Sequence, residues 1–167
     1  MQYVRIAFII SCLCLLLNPG CDQGLAPGTA GNTVPRPHGI SGVIYFKNWP
    51  PQDSVVDLRL VSFKDRPSTN IVSDVLNGKA KFTGTLNPYG ADSISYELIL
   101  DPLVPGPFAY TAVAQQYGPS LYSDWRAVGL YHAANDSTRP GVINVPADSI
   151  VRGINITVDF RNPPPAP

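Results

Sequence analysis

The sequence predicts an all-β domain, a seven-stranded antiparallel β-sandwich, on three observations. Apolar residues recur with a period of two through most of the stretch 39–160, the pattern of strands with one buried and one wetted face. The connecting stretches carry turn chemistry, among them Pro50-Pro51, Asn77-Gly78, Asn87-Pro88, Pro105-Gly106-Pro107 and residues 135–141. No window gives a convincing amphipathic helix, and 71–76 has room for one short turn at most. Two antiparallel sheets packed through their apolar faces satisfy all three.

The strands follow in order. Residues 40–46 place Ile40, Ile44 and Phe46 on one face. In 55–63, Val56, Leu58 and Leu60 face inward, with Asp57 and Arg59 turned to water. A short piece at 80–82 precedes 93–100, which alternates Ile94, Tyr96, Leu98 and Leu100. Residues 107–115 alternate Phe108, Tyr110, Ala112 and Ala114, and 125–132 alternate Trp125, Ala127, Gly129 and Tyr131. The last strand, 150–160, sets Ile154, Ile156, Val158 and Phe160 against Asn155, Thr157 and Asp159. Beyond it the prolines of 161–167 lack the N–H groups a ladder requires.

The chain of 167 residues has the size of one domain, with 44% hydrophobic residues and 18 prolines. Only 14% of residues are charged, against about 25% in an ordinary soluble domain. Ser, Thr, Asn, Gln and Pro make up the polar surface instead, which suits an extracytoplasmic β-protein. Twelve basic residues balance twelve acidic ones without a long run of either sign. That excludes the electrostatic footprint of a nucleic-acid binder.

Residues 1–20 read as a secretion signal: Arg5 is followed by twelve uncharged residues, 6–17. Twelve helical residues reach about 18 Å, short of the ~30 Å hydrocarbon core. The segment ends in Leu17-Asn18-Pro19-Gly20-Cys21, which resembles the lipobox of bacterial lipoproteins. Gly20 and Cys21 fit that pattern, whereas Asn18 stands where Leu is usual. The resemblance implies a diacylglycerol on Cys21, with two or more acyl chains giving a stable membrane anchor. Two other outcomes stay open: a secreted protein cut later, with Cys21 left free or removed, and a retained N-terminal anchor. Each exports the domain to the cell envelope or beyond, and Asp22 leaves the choice of membrane open. Cys12 and Cys14 lie within the signal, so a chain cut at Cys21 has neither an intrachain disulfide nor a Cys-based zinc site. Residues 21–38 then form a tether of Gly, Ala, Pro, Thr and Asn, leaving 39–160 as the domain.

Within that domain, Ile40-Ser41-Gly42-Val43-Ile44, the apolar strand 54–60 and Pro105-Gly106-Pro107-Phe108-Ala109-Tyr110 resemble three features of the transthyretin-like, carboxypeptidase-regulatory-like β-sandwiches. These are an opening Gly-x-Val strand, an apolar second strand and a Pro-Gly-x-aromatic lead into a central strand. The resemblance spans most of 39–115 and implies an accessory, carrier or binding role. Phe108 has no hydroxyl to cap a corner, a role Tyr110 is placed to fill, and 64–92 is longer than the usual hairpin.

Catalysis has no visible foundation in the sequence. His38 falls in the tether, and His132 reads as a strand-end surface histidine. No nucleophile elbow, zinc-protease motif or phosphate loop occurs. Asp124, Asp136 and Asp148 are too scattered for a calcium loop, so no cofactor or metal is expected. The informative group is aromatic: Trp49 beside two prolines, then Tyr117, Tyr122 and Trp125, with Asp124 and Arg126 flanking the last. Loop aromatics near amides and charges suit a ligand or partner patch, although a residue such as Trp125 also seals the end of a sandwich core. The expectation is a non-catalytic envelope module whose partner is an unidentified envelope protein or glycan. A carbohydrate-binding module using these aromatics, a small hydrolase built on His132, and an adhesin-like or structural subunit pairing through a strand edge are the alternatives.

Overall fold

The computed structural model describes residues 36–68, 71–134 and 136–167. The signal segment, Cys21 and the tether up to residue 35 lie outside the described residues. The strands are β1 (Gly39–Lys47), β2 (Asp57–Phe63), β3 (Ala80–Phe82), β4 (Ser93–Ile99), β5 (Gly106–Phe108), β6 (Tyr110–Gln116), β7 (Trp125–Leu130), β8 (His132–Ala133), β9 (Asp136–Pro140), β10 (Ile143–Val145), β11 (Ile150–Val151) and β12 (Ile156–Asp159). One six-residue helix, α1 (Ile71–Leu76), stands between β2 and β3.

Eight strands form a single curled sheet, an all-β arrangement of the sandwich class. Strand β1 takes β4 antiparallel on one edge, and on the other takes β11 and then β12, both parallel. From β12 the sheet continues antiparallel through β7, β6 and β2 to β3. The sheet is therefore mixed, which corrects the expected all-antiparallel arrangement of seven strands. A period of two reports which face is buried and carries no information on strand direction. A parallel pair needs a long crossover connection, and here everything between β1 and β11 supplies it.

The predicted strand 150–160 is also divided. Between β11 and β12 the chain turns through Gly153 at φ 79°, and the Ile154 amide bonds the Ser41 carbonyl at 3.1 Å. Val43 N–H donates to the Asn155 side-chain carbonyl at 2.9 Å. Across β1, Tyr96 lies opposite Gly42, and its hydroxyl donates to the Ile154 carbonyl at 2.6 Å. This tyrosine, not Tyr110, supplies a backbone-directed hydroxyl. The Tyr110 hydroxyl is buried without a hydrogen-bond partner among the described residues, and burial pushes both phenols above their ordinary pKa.

The main core fills the inside of the curl with Ile40, Ile44, Leu58, Leu60, Leu98, Phe108, Val113, Ile156 and Val158, all buried. Against expectation Val56 is 54% exposed and precedes β2. A second cluster, Val61, Phe63, Tyr110, Ala112, Ala127 and Leu130, covers the outer face of β2, β6 and β7, with Ile71 and Val75 of α1 packed on it. Both faces of these strands are thus apolar along part of their length. Ser62, which shares the parity of Leu58 and Leu60, and its cross-strand partner Thr111 are polar yet fully buried, and they share a hydrogen bond of 2.8 Å.

Two boundaries shift as well. His38 belongs to the domain and not to a tether: it is 4% exposed, its Nδ1 lies 2.9 Å from Asp101 Oδ1, and its carbonyl accepts from the Leu100 amide. Residues 64–92, too long for a hairpin, hold α1 and β3. Asp74 of α1 ties that region together. Its carboxylate accepts from Lys79 Nζ at 2.8 Å and from the Ser68 amide at 2.7 Å.

These bonds, the Lys79 side chain first, hold the Asp74 carboxyl down at about 2, below the ~3.9 of an unfolded aspartate. A depressed folded pKa means that the associated stability is present above about pH 4 and is lost as pH falls toward 2. The urea midpoint of the wild type should therefore drop across that window. Asp74→Asn should have a lower midpoint at neutral pH and a shallower acid slope. Some slope persists in it, because Asn48 and Asn162 hold Asp159 at about 2 in the same way. Urea titrations at a series of pH values between 5 and 2 check both statements.

Candidate functional site

The outer face of the sheet is covered only in part, and a cavity of about 230 Å³ remains between α1 and strands β2, β6 and β7. Its floor is Val61 and Ala114, and one wall is Ile71, Val72 and Val75 of the helix. The opposite wall is Trp125, with Leu121 and Phe82 at the margins. Among the described residues of the lining, the charged ones are Arg59 and Arg126. The cavity exists because α1 is short: six residues cannot span the apolar face that three strands present.

The segment 117–126 sets the position of Trp125 and Arg126. Asp124 acts as a local staple, its Oδ2 accepting from the Ser120 amide at 2.9 Å and its Oδ1 from Ser123 Oγ at 2.9 Å. The Asp124 carbonyl accepts from the Tyr117 amide at 2.9 Å. Gly118 is required there, since a Cβ would meet the Asp124 carboxylate, whose Cγ would lie 3.0 Å away. Asp124 therefore does not project beside Arg126, as the sequence suggested. With the loop closed, the Trp125 indole N–H donates to the Leu121 carbonyl at 3.1 Å. The polar edge of the ring is satisfied and the ring lines the cavity as an apolar surface.

Arg126 is held at its base. Its Nε donates to Gln115 Oε1 at 3.0 Å, and Gln115, fully buried, anchors itself through Nε2 to the Ser54 carbonyl at 2.6 Å. The guanidinium carbon lies 5.7 Å from the Tyr117 ring centroid, a cation–π distance. Arg59 differs, being paired with Asp57 at 2.7 Å and lying 5.4 Å from the Phe82 ring centroid. Leu121 and Tyr122, 63% and 74% exposed, continue the apolar surface outward at the 117–126 loop.

Of the predicted patch, Tyr117, Tyr122, Trp125 and Arg126 come together on this one loop and strand end. Trp49 does not join them. It stacks at 4.8 Å on Phe46 and at 4.7 Å on Phe160, and its N–H is bound by the Ala91 carbonyl. Trp49 thus closes one end of the main core together with Tyr89, 5.2 Å away. The sequence reading missed Arg59 and the helix residues Val72 and Val75. Arg59 reads as a solvated strand residue, and six residues are too few to show a helical period.

His132 is half-buried, and its Nδ1 has no hydrogen-bond partner among the described residues. It shares a second cavity, of about 390 Å³, with Ser137, Thr138 and Asp159, yet no hydrogen bond joins it to any of the three. Asp136 beside it is lowered chiefly by bonds from Thr138, with His132 adding a weaker attraction.

Comparison with family models, with curated proteins and with solved structures returned no match. The class that fold and site define is an all-β domain with a curled mixed sheet and an apolar groove on its outer face, rimmed by arginine.

Proposed function

We propose that this chain is a non-catalytic binding module of the cell envelope, exported and held at a membrane by a lipid on Cys21, with its binding site in the groove beside α1. The observation that carries the binding half is the groove itself: an open cavity of about 230 Å³ with Trp125 and Arg126 on its border. Ligand sites are concave, mostly apolar, and carry a few placed polar groups. The anchor rests on the lipobox-like 17–21, and the transthyretin-like assignment on the motifs around Gly42 and Gly106. A module of this kind captures its ligand within a few nanometres of the bilayer, since the tether extends no further than about 3.5 Å per residue.

The groove is more apolar than a sugar site requires. Carbohydrate recognition pairs stacking rings with several amides or acids for the hydroxyls, and among the described residues of the lining the polar ones are Arg59 and Arg126. Binding is read out by ¹⁵N–¹H NMR of the full-length chain against a set of small apolar fragments of differing charge. The expected result is shifts at the Trp125 indole and the Val75 amide, while the Trp49 indole stays in place. Shifts confined to other parts of the domain, or none at any fragment concentration, overturn the assignment of the groove.

A further inference from the structure

We propose that β4 is a self-association surface: two copies of the chain pair through their β4 edges, antiparallel about a two-fold axis at Tyr96, and continue one sheet across the dimer. The hydrogen-bond phase of the strand decides which groups are available. At one end of the pairing with β1 the Phe46 amide bonds the Asp92 carbonyl at 2.9 Å, and at the other the Leu100 amide bonds the His38 carbonyl at 2.9 Å. The register between these ends is regular, from Tyr45 opposite Ser93 to Gly39 opposite Ile99. Bonded and non-bonded pairs alternate along an antiparallel ladder, so Ile94, Tyr96 and Leu98 direct their N–H and C=O groups at β1. Those of Ser93, Ser95, Glu97 and Ile99 point away from it. Strand β3, at the far end of the curl, comes near β4 but shares no ladder with it, and the outward groups bond no described residue.

An open edge is ordinarily defended by proline, lysine, a bulge or a charge turned inward. Over its seven residues β4 has none of these: its one charged residue is Glu97, which is exposed, and its register with β1 does not shift. An undefended regular edge is a template for another strand.

The edge is also complementary to itself. With the axis at Tyr96, Ser93 falls opposite Ile99 of the second copy and Ser95 opposite Glu97, so every outward N–H and C=O of both strands finds a partner. With the axis at Glu97, like charges would stand directly opposite, which is unfavourable. With the axis at Ser95, Ile99 would lie beyond the end of the facing strand. The Tyr96 axis brings in β1 as well. Tyr45, beside Ser93 on the same face, is 45% exposed, and Ile99 is 37% exposed. In the dimer Ile99 of one copy and Tyr45 of the other flank the same small Ser93 and can meet over it. A second copy supplies all of these contacts at once, where an unrelated strand supplies only the backbone bonds. None of the described residues lining the groove belongs to β1 or β4, so this surface is separate from the groove.

The test follows amide hydrogen exchange of the full-length chain by NMR over a range of concentrations, beside sedimentation equilibrium. The amides of Ser93, Ser95, Glu97 and Ile99 should exchange freely in the dilute monomer and gain protection in step with the dimer, while those of Ile94, Tyr96 and Leu98 are protected throughout. Ser95→Lys sets an ammonium opposite each Glu97 and should tighten association about fivefold, and Ser95→Glu sets carboxylate against carboxylate and should weaken it by a similar factor. Ser95 is exposed and its backbone groups take no part in the bonds to β1, so unchanged tryptophan indole resonances show that both variants keep the fold. A chain that stays monomeric at every concentration overturns the proposal. So do outward amides that remain unprotected in an oligomer, or that are protected already in the monomer. Ser95→Lys association no tighter than that of the wild type overturns the Tyr96-centred pairing.

Discussion

Gly42→Ala should abolish cooperative folding or lower the urea midpoint by more than half, the largest stability effect expected of any single methyl group in this domain. Gly42 lies in the middle of β1, flanked by β4 on one side and by the break between β11 and β12 on the other. An alanine Cβ there would penetrate the carbonyl oxygen of Ile154 and stand 2.6 Å from its carbon. The clashing atoms are backbone, held by the Ile154 amide bond to Ser41 and by the Tyr96 hydroxyl, so no side chain can swing aside to relieve the contact. Relief requires moving the Ile154 peptide away from β1, which leaves the buried Tyr96 hydroxyl without its acceptor. The combined loss should exceed about 4 kcal/mol, in the range reserved for overpacking with a broken buried bond. Domains of this size have about 5–15 kcal/mol in total. Tyr96→Phe isolates one part of it, the unpaired carbonyl, at about 1–3 kcal/mol. Urea unfolding monitored by tryptophan fluorescence measures both, and a Gly42→Ala midpoint close to wild type would show that the Ile154 peptide is free to shift.

That same contact explains what the sequence could and could not disclose. The alternation Ile40, Ile44, Phe46 and the run Ile154, Ile156, Val158, Phe160 were legible because each faces one core, and all seven residues are buried. The parallel pairing of these two segments was not, since hydrophobic alternation is identical in either direction. Nor was the break at Gly153, which depends on Gly42 being small enough for another strand's backbone to lie on it. Strands β2 and β6 follow the alternation only in part, because α1 covers their outer face and puts Val61, Phe63 and Ala112 out of water as fully as Leu58 and Leu60. At the site, Tyr117, Tyr122 and Trp125 were recognisable as clustered aromatics that suit either a partner patch or the seal of a core end. Trp49, an aromatic beside two prolines, was read as part of the same patch, yet Phe46, Tyr89 and Phe160 claim it for the core. Telling the two tryptophans apart takes the tertiary neighbours, which the local sequence does not hold.

The second large effect is expected at Cys21 and concerns location instead of stability. On the reading proposed above, the wild-type chain expressed in a bacterium should begin at Cys21, carry a diacylglyceryl-type mass adduct and partition with membranes. Two or three acyl chains hold a protein at a bilayer where one chain holds it only reversibly. Cys21→Ala removes the only atom on which the thioether can form, so the adduct should vanish and the membrane-bound fraction with it. The folded domain should be unchanged, because position 21 precedes every described strand, and NMR shifts of the two tryptophan indoles check that directly. A wild-type chain that is soluble and cut at another position would mean that Asn18, standing where the lipobox usually has Leu, blocks recognition. In that case Asn18→Leu should restore both the adduct and the partitioning. The groove would then belong to a freely secreted binder, and its ligand would be met in solution instead of beside a membrane.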